Sequence, residues 1–297
     1  MKKFQNIFIL MSVIFFSCQK NITIPQPHYD SKVSIQSLIE PDSVPKVFFN
    51  YTVPFFDAKI VNAQLVIRNT TVKISGDSKT DILHLDSIYD KVLCDYIFWY
   101  EGIIPIANNI TYTLSIDYNN ENYSATATTN LLAVTIDSVG YVQKFNDVYG
   151  EHEGVLTYFK DAPSQINFYR YEMLRPVDAS MKHASIALTT ACLGSDTIQY
   201  LEFGRSVYTD ENLDGQPIKL ITEPAFTHRD SLETLVRVQT IDKNAYNFLD
   251  QLDRQKLGVY NPFVEPVFLT QGQFGAKAIG FFSAMKRSTP HAFTFPE

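Results

Sequence analysis

From residue 109 to residue 128 the chain alternates with a period of two. Ile110, Tyr112, Leu114, Ile116 and Tyr118 take one register, and Thr111, Thr113, Ser115 and Asp117 take the other. Successive side chains of an extended strand leave opposite faces, so this pattern buries one face and wets the other, which the 3.6-residue period of a helix does not do. Asn119, Asn120 and Glu121 suit a turn. Beyond them Tyr123, Ala125 and Ala127 alternate with Asn122, Ser124, Thr126 and Thr128. The segment is predicted to be a β-hairpin with one apolar face.

The same pattern recurs upstream at Ala63, Leu65 and Ile67, and β-rich runs occupy residues 32–39 and 46–53. Several short strands with turns between them in about 100 residues predict an immunoglobulin- or fibronectin-like β-sandwich over residues 32–130. A second β-rich domain is expected over 131–297, with strands near 155–159, 167–174, 198–203 and 232–241 and a closing strand in 274–284. One stretch departs from period two. Ala245, Phe248, Leu249 and Leu252 follow helical spacing, Asp242 is placed to cap the start, Asp250 and Arg254 can pair at i,i+4, and Gly258 can end the turn. An amphipathic helix is therefore predicted over 243–257. The fold class is mainly β, with that one helix packed on the second domain.

The N-terminus carries export chemistry. Lys2 and Lys3 precede an almost wholly apolar run over residues 4–16, too short to span a bilayer stably. Ser17 then leads into Cys18, as lipoprotein processing requires, because the cysteine sulfur receives the diacylglycerol. Residues 1–18 read as a lipoprotein signal peptide ending at the lipidated Cys18. Residues 19–31, with two prolines and few apolar side chains, read as a tether. The acyl chains would hold the protein on a membrane while its body stays in water.

Removal of residues 1–18 takes away Lys2 and Lys3 and no acid, which moves the formal net charge from −7 to −9. An acidic surface of this kind excludes nucleic acid as an expected partner. Cys94 and Cys192 are too few for a disulfide framework and match no metal spacing. They are read as buried free thiols, with one disulfide between them as the alternative.

Taken in order, Lys32-Val33-Ser34-Ile35, Ile39-Glu40-Pro41, Tyr112-Thr113-Leu114, Tyr123-Ser124-Ala125, Phe159-Lys160-Asp161, Asn167-Phe168-Tyr169, Thr209-Asp210 through Asp214-Gly215-Gln216, and Gly280-Phe281-Phe282 stand along the chain. With the residues of 63–67 and the helix around Tyr246, this order resembles a family of Bacteroidota outer-membrane lipoproteins of unknown function, often encoded beside TonB-dependent receptors. Where that family has Gly before its Tyr-x-Leu strand, this chain has Asn108-Asn109. The resemblance implies a non-enzymatic binding or accessory subunit of a TonB-dependent transport system in the outer membrane, with a β-barrel transporter as partner. The competing expectation is an envelope-assembly scaffold without a ligand site of its own. The side of the outer membrane stays open, since Gln19-Lys20-Asn21-Ile22 supplies no acidic run after the cysteine.

Asp210, Asn212 and Asp214, followed by Gly215, match the opening of a calcium loop, but the twelfth position is Ile221 instead of a bidentate Glu. Calcium is weighed there against a polar turn between strands. Ser43, Ser87, Ser138, Thr197 and Ser231 each follow an Asp and precede an apolar residue. They resemble the O-glycosylation sites of exported Bacteroidota proteins, while Asp-Ser also suits the start of a strand. Trp99, the only tryptophan, and Tyr100 belong to an aromatic cluster that either packs a core or stacks on a ligand. Phe48, Phe49, Tyr51, Phe55 and Phe56 are expected in strand core and loop packing. No Gly-x-Ser-x-Gly elbow occurs, and His152-Glu153 lacks the second histidine of a zinc motif, so no enzyme is expected.

Overall fold

The computed structural model describes residues 30–53, 61–147, 150–181, 190–227, 232–260, 269 and 272–296. The fold is mainly β. In chain order the first seven strands are β1 (Val33–Ile39), β2 (Lys46–Tyr51), β3 (Thr71–Gly76), β4 (Lys79–Asp90), β5 (Asp95–Glu101), β6 (Thr111–Tyr118) and β7 (Glu121–Thr128). Then follow β8 (Ile136–Asp147), β9 (Gly150–Lys160), β10 (Phe168–Val177), β11 (Ile198–Thr209), β12 (Pro217–Thr222), β13 (Glu233–Ile241), β14 (Ala278–Arg287) and β15 (His291–Thr294). The helices are α1 (Asn62–Leu65), α2 (Thr190–Leu193) and α3 (Lys243–Tyr260). One path of paired strands runs β11-β10-β13-β14-β1-β2-β5-β4-β3-β6-β7, and a three-stranded sheet runs β12-β9-β8.

The predicted hairpin forms as β6 and β7, with Tyr118 opposite Glu121. Asn119 and Asn120 take φ of 50° and 62°, the left-handed pair that a two-residue hairpin turn demands and that asparagine tolerates. Asn109 takes φ of 58° for the same reason. Strand β4 pairs with β3 through Leu83 and with β5 from His84 onward, so it leaves one layer and joins the other. The layers β1-β2 and β3-β6-β7 then bury their apolar registers together, including Ile35, Phe49, Ile74, Leu114 and Tyr123. Phe49 meets Tyr118 edge-on at 5.7 Å and Tyr123 at 6.2 Å. Residues as buried as Ile35 and Phe49 each stabilise the fold by roughly 1.5–3 kcal/mol.

A second core lies between β8-β9-β12 and one face of β10-β13, where Phe159, Tyr169, Met173, Ile218 and Val236 pack with Phe293 and Phe295 near the C-terminus. The sheet does not break at residues 130–131, where the sequence suggests two domains. β1 pairs in parallel with β14, and residues Ser31–Glu297 form one compact unit. Gly280 makes this pairing possible: a Cβ there would stand 1.8 Å from the Ile35 carbonyl oxygen.

Three local readings are corrected. Residues around Ala63 and Leu65 form the short helix α1 instead of a strand, with Asn62 N–H donating to Asp95 at 2.9 Å. Helix α3 starts as predicted, with the N–H groups of Asn244 and Ala245 donating to Asp242 at 2.9 and 3.1 Å, and Asp250 pairs with Arg254 at 3.0 Å. It runs through Gly258 to Tyr260, because glycine weakens a helix without forbidding it. Cys94 and Cys192 form a disulfide, with Cα atoms 5.6 Å apart.

The second core also encloses Arg175 and Glu202, whose side chains are 2 % and 3 % exposed. Arg175 donates to the carbonyls of Phe226 and Thr227 at 3.2 Å and lies over the Phe295 ring. Burial pushes the Glu202 carboxyl up to about 7, with Arg175 and the Ala225 backbone pulling only partly back. A carboxyl whose folded pKa lies above its unfolded one gives stability that is full below about pH 4.5 and lost as pH rises towards 7. Glu202→Gln is therefore expected to flatten stability over this window and to exceed wild type at pH 8 by roughly 3 kcal/mol. Urea unfolding of both proteins at pH 5 and pH 8 measures the difference, and parallel pH dependences would remove Glu202 as its source.

Candidate functional site

Both cores use one side of the long sheet, and the opposite side is concave and partly open. It forms a groove of about 790 Å³, within the range of small-molecule sites. The period-two rule explains its lining. In β10, Tyr169, Tyr171 and Met173 face the second core, so Arg170 and Glu172 face the other way. In β14, Phe282 and Ala284 face the first core, so Phe281, Met285 and Arg287 face the groove. Helix α3 covers one end of this face, packing Ala245 and Phe248 against Phe281 and Met285. Leu38, Phe48, Leu201 and Phe203 supply apolar walls along the remainder.

The polar groups on this face form a network with one member left out. Glu172, 1 % exposed, accepts from Arg237 at 3.0 Å, from Gln239 Nε2 at 2.5 Å and from Arg287 at 2.9 Å. Arg287 also pairs with Glu40, and these two carboxylates raise its pKa against the lowering effect of burial. Arg170 stands over the Phe203 ring at 3.7 Å, and among the described residues no hydrogen bond or ion pair reaches its guanidinium. Burial pulls its pKa down to about 10, with Glu172 pulling the other way and Arg287 adding to the fall. Gln239 is 1 % exposed, lines the groove and leaves Oε1 without a hydrogen-bond partner among the described residues.

The disulfide ties the two walls together. Cys94 sits in the turn between β4 and β5, and Cys192 sits in α2, just before β11. Val92 packs there with Val177, Leu193 and Phe226, and Lys91 pairs with Asp196 at 2.5 Å. The groove thus has β2 and β5 on one side, β10 and β11 on the other, and a covalent tie between their ends.

A second cluster lies at the other end of β10. Ligand atoms of Asp161, Asp210 and Asp214 all lie within 4.8 Å of one another, with the first two residues buried. Of the expected calcium set, Asp210 and Asp214 stand with Asp161, and Asn212 is exposed with φ of 72°. Both oxygens of Asp161 and of Asp210, and one of Asp214, are already engaged. Asn167 N–H donates to Asp210 at 3.0 Å, and its side-chain amide donates to Asp161 at 3.0 Å and Asp210 at 3.2 Å. Gly215 N–H donates to Asp161 and Ser164 N–H to Asp214, both at 2.7 Å, and the Tyr169 hydroxyl donates to Asp161. Burial raises the pKa of Asp210, and burial with the Asp161 carboxylate raises that of Tyr169. Ile221 lies in β12, so no helix pair curls the loop around an ion. The cluster acts as a clasp that fastens the β11–β12 loop to the start of β10.

A family model described as a domain of unknown function, DUF4249, matches residues 19–290. The chain belongs to the DUF4249 family. Comparison with curated proteins finds no match. Within this DUF4249 chain, the segments around Asp161, Asn167 and Asp210, distant in sequence, meet in the clasp. Among the described residues no helix is long and apolar enough to cross a membrane.

The remaining site residues fall as follows. Cys18 and Ser231 lie outside the described residues, as do Phe55 and Phe56. Ser43, Ser87, Ser138 and Thr197 are exposed. Trp99 and Tyr100 are 8 % and 4 % exposed, so neither offers a face for stacking a ligand, and the Tyr100 hydroxyl donates to Ile67 O at 2.8 Å. Trp99 still borders the groove indirectly: Lys46 lies over its ring at 4.4 Å, and its Nε1 donates to Glu101 at 3.1 Å. Phe49 packs the first core as expected, whereas Phe48 is 36 % exposed and lines the groove. Sequence reasoning missed Arg170, Gln239 and Arg287. They occupy the polar register of their strands, which reads as an ordinary wet face.

Proposed function

We propose that the protein is a non-enzymatic, lipid-anchored binding subunit held at the outer membrane through Cys18, which captures a small molecule for a TonB-dependent β-barrel transporter. The observation that carries the binding part is the groove, a concave site with apolar walls and an unpaired cation, which a scaffold does not need. The disulfide supports residence outside the cytoplasm, because such a bond persists in oxidising compartments. The anchoring part draws on Ser17-Cys18 after the apolar run.

Tagged protein, purified from its own membranes in mild detergent after labelling with a fatty-acid analogue, tests the reading. Wild type is expected to carry the label and to bring down a β-barrel protein. Cys18→Ser is expected to carry no label and to bring down none. Labelled wild type that repeatedly arrives alone would sink the transporter partnership. A scaffold role draws instead on Ile88, Leu93 and Tyr96, which are 58 %, 42 % and 49 % exposed on the β4–β5 hairpin and its turn. A partner retained after substitution of Arg170 but lost after substitution of Tyr96 would favour that role.

A further inference from the structure

We propose that the groove takes an organic monocarboxylate with an apolar body, the carboxylate meeting Arg170. The inference rests on the reading of the groove as a ligand site and adds the chemistry of what enters it.

Charge on this face sets the sign. Arg170, Arg237 and Arg287 stand with Glu40 and Glu172, and both carboxylates are engaged by Arg237 and Arg287. Lys46 and Glu101 neutralise each other at 3.2 Å. One positive charge is left over, on Arg170, where Phe203 covers one face of the guanidinium and leaves its edge N–H groups without acceptors among the described residues. A buried cation of this kind calls for an anion, and a planar guanidinium matches a carboxylate with two parallel hydrogen bonds. A dianion would exceed the charge available. A neutral sugar would leave Arg170 unanswered and meet walls of Leu38, Phe48, Leu201 and Phe203, which offer it nothing polar.

The walls set the second requirement. Leu38, Phe48, Leu201 and Phe203 are apolar, so the body that follows the carboxylate is apolar as well. Gln239 keeps its amide nitrogen on Glu172, and its Oε1 is buried out of a ligand's reach. Acids with aliphatic or aromatic bodies, N-acyl phenylalanines among them, meet both conditions.

The test uses detergent-solubilised full-length protein and calorimetric titration with N-acetyl-, N-butanoyl- and N-hexanoyl-L-phenylalanine and their methyl esters. The acids are expected to bind at least about tenfold more tightly than the esters, the worth of a charge-assisted pair. Arg170→Met keeps an apolar stem over Phe203 and is expected to bring the acids down to the affinity of the esters. Acids and esters binding wild type equally would overturn the carboxylate assignment and leave the groove as a ligand site. No binding by either series at millimolar concentration would overturn the site reading itself. A preference for acids that survives in Arg170→Met would remove Arg170 as the anion's partner.

Discussion

Cys94→Ser combined with Cys192→Ser is expected to lower stability by about 4 kcal/mol and the melting temperature by roughly 10 °C. The bond closes a sequence separation of 98 residues, and a cross-link over a loop of that length removes several kcal/mol of chain entropy from the unfolded state. The small apolar cluster around Val92 and Phe226 and the exposed Lys91–Asp196 pair remain, but an exposed pair contributes at most about 1 kcal/mol. They keep the β4–β5 tip in place less firmly than the covalent tie does. Ligand affinity should fall as well, because the disulfide joins the wall built from β2 and β5 to the wall built from β10 and β11. Urea unfolding of the double variant beside oxidised and reduced wild type measures the first effect. Reduced wild type should match the variant. If all three unfold within about 1 kcal/mol of one another, the disulfide has no structural weight.

The β character and the helix were legible because each rests on a local rule. The 109–128 hairpin follows from alternation and from a turn residue type that accepts positive φ. Asp242 caps α3 because the side chain that accepts from the first-turn N–H groups must immediately precede them. What stayed hidden depends on partners far along the chain. No local pattern places β14 beside β1, so one sheet joins halves that read as separate domains. The pairing of Cys94 with Cys192 is likewise a long-range fact, and two cysteines alone do not reveal it. The acidic loop shows the same division. Asp210 and Asp214 were visible as neighbours, whereas Asp161 comes from the end of β9, 49 residues before Asp210. The groove was the least legible feature, since its charges take the strand register that ordinarily faces water. Only the arrangement of β10, β13 and β14 turns that register into a concave face.

Glu172→Ala is expected to cost about 3 kcal/mol, and a milder replacement should separate the roles of this carboxylate. Glu172 is 1 % exposed and accepts from Arg237, Gln239 and Arg287. Removing a buried anion that holds two cations typically costs 3–5 kcal/mol, because the orphaned charges keep their desolvation cost. Arg237 and Arg287 are 27 % and 29 % exposed, so water can rehydrate them in part, which places the loss at the lower end. Glu172→Gln keeps the shape and one carbonyl acceptor but removes the negative charge that acts on Arg170. Stability should fall by about 2 kcal/mol, while affinity for a carboxylate ligand should rise several-fold, since the groove gains a net positive charge. The opposite signs matter. A purely structural role for Glu172 would loosen Gln239 and lower both quantities together, and that result would count against the anion reading of the groove. Denaturant midpoints and titration with N-hexanoyl-L-phenylalanine on the same preparations distinguish the two cases. High salt should shrink the gain in affinity, as screening of a partly open site requires.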